Sequence, residues 1–147
     1  MKYSKIKNKE ELELLKGRRA QCENLIFSFS DEYLQVLKDL LDEKNAFQMF
    51  VRDNGDFAGY IAASEKTSRQ NFLWIVELFV DSKYQGQGIG SALLGHMIQE
   101  AKNKNLDGII TQTEFENTPA QNFYKKVGFV EINNPEWKDG ITYELIF

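Results

Sequence analysis

The stretch Phe72-Leu73-Trp74-Ile75-Val76-Glu77-Leu78-Phe79-Val80 runs on through Asp81-Ser82-Lys83-Tyr84 into Gln85-Gly86-Gln87-Gly88-Ile89-Gly90-Ser91, and its reading decides the fold. A dense run of β-branched, aromatic and leucine residues, too short for an ordinary helix, predicts a buried strand. Gly86, Gly88 and Gly90 then leave one flank of the following loop without Cβ atoms. Bare backbone N–H groups can approach an anion closely, and a helix opening behind them adds its unpaired first-turn donors and the positive end of its dipole. Strand, bare loop and helix start together predict a cradle for a phosphorylated ligand.

Two familiar phosphate-binding patterns do not match. A dinucleotide fingerprint needs a third glycine where Ser91 stands, and a P-loop needs a lysine at the helix start, where none is found. The pattern that fits is Gln-x-x-Gly-x-Gly, as Gln85, Gly88 and Gly90. Glycines serving only a tight strand-to-helix turn are the alternative for this loop.

Outward from it, the chain of 147 residues suits one domain spanning 1–147, large enough to bury roughly 70% of its unfolded surface. Hydrophobic residues at 42% and charged residues at 27% describe an ordinary globular composition. A net charge of −4 provides no basic footprint for nucleic acid. One cysteine, Cys22, excludes an intrachain disulfide, and one histidine, His96, makes no ligand cluster, so no metal is expected. The segment from Met1 to Lys7 leads into no apolar run, and no stretch reaches membrane-spanning length. The expectation is a cytoplasmic protein without a membrane partner.

Tyr3–Lys7 alternates as a short edge strand, and Asn8 with Glu11 resembles a capping box for a helix carrying Leu12, Leu15 and Arg19 on one face, weakened by Gly17. Gln21–Ser30 reads as irregular. Ser30 caps a second helix with Tyr33, Leu34, Val36, Leu37, Leu40 and Leu41 at helical spacing. Ala46–Val51 and Phe57–Ala63 flank Asn54-Gly55, a hairpin signal, and Gly59 suggests a bulge or close packing. The helix from Gly88 carries Ile89, Leu93, Leu94, Met97, Ile98 and Ala101 on one side, and Gly108–Thr113 follows as a strand parallel to 72–80. Thr118 as cap, with Pro119 behind it, opens a further helix that Gly128 ends; strands Phe129–Ile132 and Ile141–Phe147 close the chain.

Asn-x-x-Ala-x-x-Phe-Tyr-x-x-x-Gly-Phe, spelled by Asn117, Ala120, Phe123, Tyr124, Gly128 and Phe129, follows the glycine loop by about thirty residues. Together the two motifs resemble those of the GNAT-type N-acetyltransferase superfamily, which use acetyl-CoA, and the order of elements is similar over nearly the whole chain. The resemblance implies a mixed α/β fold. Its seven-stranded sheet would be mostly antiparallel, with a central parallel pair of splayed strands and about four flanking helices.

Acyl transfer from a thioester to an amine needs a base for the amine proton, a donor for the thioester oxygen and an acid for the leaving thiolate. The resemblance implies that the backbone of Phe79 and Val80 meets the pantetheine arm of acetyl-CoA. Gln85, Gly86, Gln87, Gly88, Ile89, Gly90 and Ser91 would hold its pyrophosphate, Asn117 would bind the arm, and Tyr124 would act as general acid. A core aromatic is the alternative for Tyr124, and a helix cap that for Asn117. Glu77, a carboxylate inside an apolar strand, is the candidate base or ammonium anchor, with a buried structural glutamate as its alternative. Glu114 and Glu116 are second candidates, and Phe27, Phe29 and Tyr33 are candidate acceptor contacts. The implied acceptor is a small-molecule primary amine, with a protein or peptide amine, or a silent CoA-binding module, as the other readings. A homodimer is compatible with the resemblance.

Overall fold

The computed structural model describes residues 1–22 and 25–147, with the side chains of 19–27 outside that description. Its strands are β1 (Lys2–Lys5), β2 (Arg19–Cys22), β3 (Leu25–Ser28), β4 (Phe47–Asp53), β5 (Asp56–Ser64), β6 (Phe72–Val80), β7 (Gly108–Glu114), β8 (Val130–Ile132) and β9 (Gly140–Ile146). Its α-helices are α1 (Asp31–Leu40), α2 (Ile89–Asn103) and α3 (Thr118–Val127), joined by 3-10 helices at Lys9–Leu15 and Ser82–Tyr84. Seven strands form one sheet in the order β1-β4-β5-β6-β7-β9-β8. Every pairing is antiparallel except β6 with β7, where α2 provides the crossover that parallel strands require.

Each face of the sheet carries its own core. On one face, α2 lays Ile89, Leu93, Leu94, Met97 and Ala101 against Val51, Ile61, Leu73, Ile75 and Ile109. On the other, the first 3-10 helix and α1 bring Leu12, Leu15, Leu34 and Leu37 onto Phe50, Tyr60 and Phe79. Complete burial of such side chains contributes about 1.5–3 kcal/mol each. A polar chain fixes α1 to the sheet: the Tyr60 hydroxyl donates to Gln48 Oε1 at 2.5 Å, and Gln48 Nε2 donates to the Leu37 carbonyl at 2.7 Å. Asn54 and Gly55 adopt positive φ (49° and 88°), as the tight β4–β5 turn demands.

Three local expectations need correction. The segment after Asn8 is a 3-10 helix that stops at Leu15, not a helix reaching Arg19. Asn8 Oδ1 does accept from the Glu11 amide (3.1 Å), but Gly17 at φ +78° turns the chain, and Arg19 opens β2. The stretch read as irregular contains the antiparallel pair β2–β3, registered Arg19 to Ser28 and Cys22 to Leu25. At α3 the cap is Asn117, whose Oδ1 accepts from the Ala120 amide at 3.3 Å, and Thr118 is already helical. An Asn side chain caps as well as Thr, so Asn-Thr-Pro leaves the frame open by one residue.

Candidate active site

Everything at the site depends on how β6 leaves β7. Their parallel register holds only from Phe72–Gly108 to Trp74–Ile110. Beyond that point β6 stays with β5, but Ala62 pairs with Glu77 while Ala63 pairs with Ile75, so Val76 is the extra residue of a bulge. A bulge bends its strand and re-aims the side chains around it. Here it follows the last residue paired with β7, so the two strands part as a cleft through the sheet.

Glu77 shares a face with its partner Ala62 and looks toward α1. Its Oε1 accepts a hydrogen bond of 2.9 Å from the Tyr33 hydroxyl. Tyr33 is fixed in turn by helix geometry: the Ser30 hydroxyl oxygen accepts from its amide at 3.0 Å, and its ring stacks on Phe29 at 6.0 Å between centroids. The carboxylate keeps some contact with solvent but lies deep in the cleft. Burial pushes it up to about 7, against the opposing pull of the Tyr33 hydrogen bond and the Leu78 amide, and the Glu114 charge adds to the rise. Burial and the Glu77 charge raise the Tyr33 hydroxyl, which stays protonated as a donor.

Across the cleft, on the α2 face, Tyr124 is 6% exposed and packs edge-on against Phe123 (5.3 Å) and Phe129 (5.2 Å). Burial pushes its hydroxyl up to about 12, the neighbouring Thr111 hydroxyl works the other way, and the Glu77 charge raises it. Tyr124 thus senses the Glu77 charge from the opposite face of the sheet.

The glycine loop lies at the open end of β6. Gly86 and Gly88 have φ of +79° and +80°, and a Cβ at either would meet nothing within 4 Å among the described residues. Gly88 caps α2 without a side-chain hydrogen bond, so the amides of the first turn are left to point out of the helix end. Two buried side chains, Tyr84 and Ile89, pin the loop on either side. Ile89 fits because Gly59 is bare: a Cβ there would come within 3.2 Å of the isoleucine Cγ2 and 3.0 Å of the Phe79 carbonyl. These features fit a pyrophosphate: open space, two glycine-only conformations and an uncapped helix N-terminus.

The other residues singled out from sequence lie as follows around this frame. Phe79 is buried under Phe29 (5.2 Å), while Val80 is half-buried, with its carbonyl accepting from Gln85 Nε2 at 3.3 Å. Gln87 and Ser91 are exposed beside the loop, and Gly90 faces the Phe123 ring. Asn117 caps α3 at the far side of the cleft, next to the exposed Glu114 and Glu116. Phe29 is 5% exposed and serves as the floor beneath Tyr33 rather than as a surface contact. The Phe27 side chain lies outside the described residues. Thr111, a buried neighbour of Tyr124, was not singled out from sequence, although Thr111 and Thr113 alternate as inward polar positions of β7.

The chain is similar in sequence and in fold to known proteins. The chain is 28% identical over 123 residues to N-alpha-acetyltransferase 30 of Schizosaccharomyces pombe, covering 71% of this chain and 82% of that protein. It is 39% identical over 70 residues to the peptidyl-lysine N-acetyltransferase YjaB of Salmonella typhimurium, spanning 47% of this chain and 45% of that relative. The structure of PaiA N-acetyltransferase from Thermoplasma acidophilum in complex with coenzyme A superimposes with a TM-score of 0.77 over the full length of both chains, at 17% identity. The family model for the acetyltransferase (GNAT) family matches residues 14–129, and the chain belongs to that family.

Proposed function

We propose that the protein transfers the acetyl group of acetyl-CoA to a primary amine by direct attack in a ternary complex. The observation that carries this reading is the pair of acid–base groups, Glu77 and Tyr124, on opposite sides of the β6–β7 cleft whose open end carries the uncapped N-terminus of α2. Acetyl-CoA, when bound, supplies an activated acyl carbon and a thiolate leaving group. Gly86, Gly88, Gly90 and Ser91 would hold its pyrophosphate through backbone amides, Gln85 and Gln87 would flank that group, and Asn117 with the backbone of Phe79 and Val80 would line its pantetheine arm.

The chain's own groups then divide the proton work. Glu77 takes a proton from the incoming ammonium, so that the nitrogen lone pair is free to attack. Its position near 7 suits this task, since a base titrating at the working pH is both available and strong enough. Tyr33 holds the carboxylate in place and favours its ionised form. Tyr124, raised to about 12, remains protonated at neutral pH and gives its proton to the departing sulfur, with the neighbouring Thr111 favouring the phenolate left behind. A silent CoA-binding module would need neither group.

The acceptor amine belongs to a small molecule or to a polypeptide. The names of the yeast and Salmonella relatives support the second of these. The test is release of free thiol from acetyl-CoA with a panel of amines and peptides, with the acetylated product identified by mass spectrometry. Acetylated amine formed in step with thiol supports the reading, and thiol release without any acetylated amine contradicts it.

A further inference from the structure

A cavity of about 250 Å³ opens on the same face of the sheet as Glu77. Its walls are Trp74 of β6 and Trp137 of the β8–β9 connection, its floor Ile110 and Gln112 of β7, and its rim includes Lys66 and Glu136. Trp74 pairs with Ser64 and Glu77 with Ala62, so the two project on one side from positions two residues apart on β5. That spacing is roughly 7 Å along the strand.

The second indole is held in place by the chain around it. Asn134 Nδ2 donates to the Thr142 hydroxyl (3.1 Å), and its Oδ1 accepts from the Glu136 amide (3.2 Å). The Trp137 amide closes the turn on the Asn134 carbonyl at 3.2 Å. Gly140 is bare where the ring lies: a Cβ there would come within 2.4 Å of Trp137 Cη2 and 2.1 Å of the Thr113 carbonyl. Asn134 and Gly140 therefore position this wall.

The size and charge of the cavity decide what it suits. At about 250 Å³ it falls below the roughly 300–1,000 Å³ that enclose a whole small-molecule ligand, so it takes a group of one. Lys66 and Glu136 are both exposed and of opposite sign, so the rim favours neither a cation nor an anion. Thr67, Ser68, Gln112 and Asn134 add neutral polar groups to the lining, and its apolar surface is the two indoles over Ile110.

We propose that this cavity seats an apolar aryl or branched-alkyl group of the acceptor, carried a few bonds from the amine that reaches Glu77. The inference rests on the acetyl-transfer reading above for the position of that amine. An arylalkylamine and a peptide with a bulky apolar first residue present the same chemistry.

The test exploits the fact that the chain has two tryptophans, both lining the cavity. Indole emission of the full chain is titrated with 2-phenylethylamine, 1,4-diaminobutane and methylamine, and with tripeptides beginning in Phe or Gly. We expect a saturable change with 2-phenylethylamine or the Phe peptide, at least tenfold tighter than with the diamine, methylamine or the Gly peptide; the tighter of the two apolar probes identifies the source. Trp137→Ala should weaken that binding about tenfold, within the usual range for loss of an apolar pocket contact, and Trp137→Phe should keep it within about threefold. No saturable response to either apolar probe, tighter binding of the diamine, or equal affinity in wild type and Trp137→Ala would overturn the proposal. Saturable binding without thiol release would sink acetyl transfer and leave the cavity standing. Acetylation of 2-phenylethylamine with neither indole responding would do the reverse.

Discussion

The two faces of β6 carry sites assembled in different ways. On the α2 face, the glycine loop, the helix start, Asn117 and Tyr124 all come from one run of chain between residues 85 and 124. On the α1 face, Glu77 is completed by Tyr33, 44 residues away, and α1 itself is held by Gln48 and Tyr60 of two further strands. The first face is local and its spacing is rigid. The second is a meeting of distant parts, and its chemistry depends on burial and on one long-range hydrogen bond. Substitutions on the first should act on the bound cosubstrate, and those on the second on the proton balance.

The largest effect is expected at the loop. Gly88→Asp forces a side chain onto a φ of +80° and sets a negative charge where phosphate would lie. Acetyl-CoA affinity should fall on the order of 10²-fold or more by calorimetry, and the stabilisation by ligand should disappear from the melting curve. Gly90→Ala provides the contrast, because its Cβ would meet Phe123 and Val80 at an ordinary 3.7 Å. A loss in Gly90→Ala as large as in Gly88→Asp would dissolve the distinction between conformation and simple crowding.

Tyr124→Phe comes next. Removing the hydroxyl should lower kcat on the order of 10²-fold, the usual size of lost acid–base help, while acetyl-CoA affinity stays within a few-fold. Equal losses in both would make Tyr124 a packing residue of the α2 face.

On the other face, Glu77→Gln should make the protein more stable above neutral pH. The folded carboxyl is raised from 4.5 to about 7, so the wild type gives up stability as pH rises through that window and the glutamine does not. The gain at pH 8 is up to roughly 3 kcal/mol by chemical denaturation and should vanish below about pH 4.5. A pH-independent difference would place the carboxylate outside the buried network.

Tyr33→Phe is the mildest change. Without its donor the Glu77 carboxylate is harder to ionise, so the acid limb of kcat/KM should move up by about one pH unit. Activity at pH 7 should drop several-fold and return by about pH 8.5. A drop that persists at high pH would give Tyr33 a different task.

The same contrast explains what could be read from sequence. The buried strand, the bare loop and the Asn117–Phe129 motif are contiguous patterns, and β6, α2, β7 and α3 stand where those patterns put them. The Asn54-Gly55 turn was equally legible, because its positive φ values are a local demand. Gly17 was harder: a glycine inside an apparent helical stripe does not announce whether it interrupts or ends the helix, and here it ends it. The β2–β3 pair was missed because four-residue strands carry too little alternation to stand out. Glu77 was visible as a carboxylate in an apolar run, but the bulge at Val76 that aims it, and the Tyr33 hydroxyl that holds it, arise from pairing between distant segments. No spacing within a single sequence encodes that.

The most direct measurement is the pH dependence of kcat/KM for acetyl transfer in wild type and Glu77→Gln, with acetyl-CoA saturating and product quantified by mass spectrometry. Base catalysis by Glu77 predicts a wild-type acid limb near pH 7, because the carboxylate must be ionised to take the amine proton. The variant should lose that limb, run at least tenfold slower at neutral pH, and regain ground as pH approaches the pKa of the acceptor, where the amine arrives already neutral. A Glu77→Gln protein with the wild-type rate and the same limb near pH 7 would contradict the account.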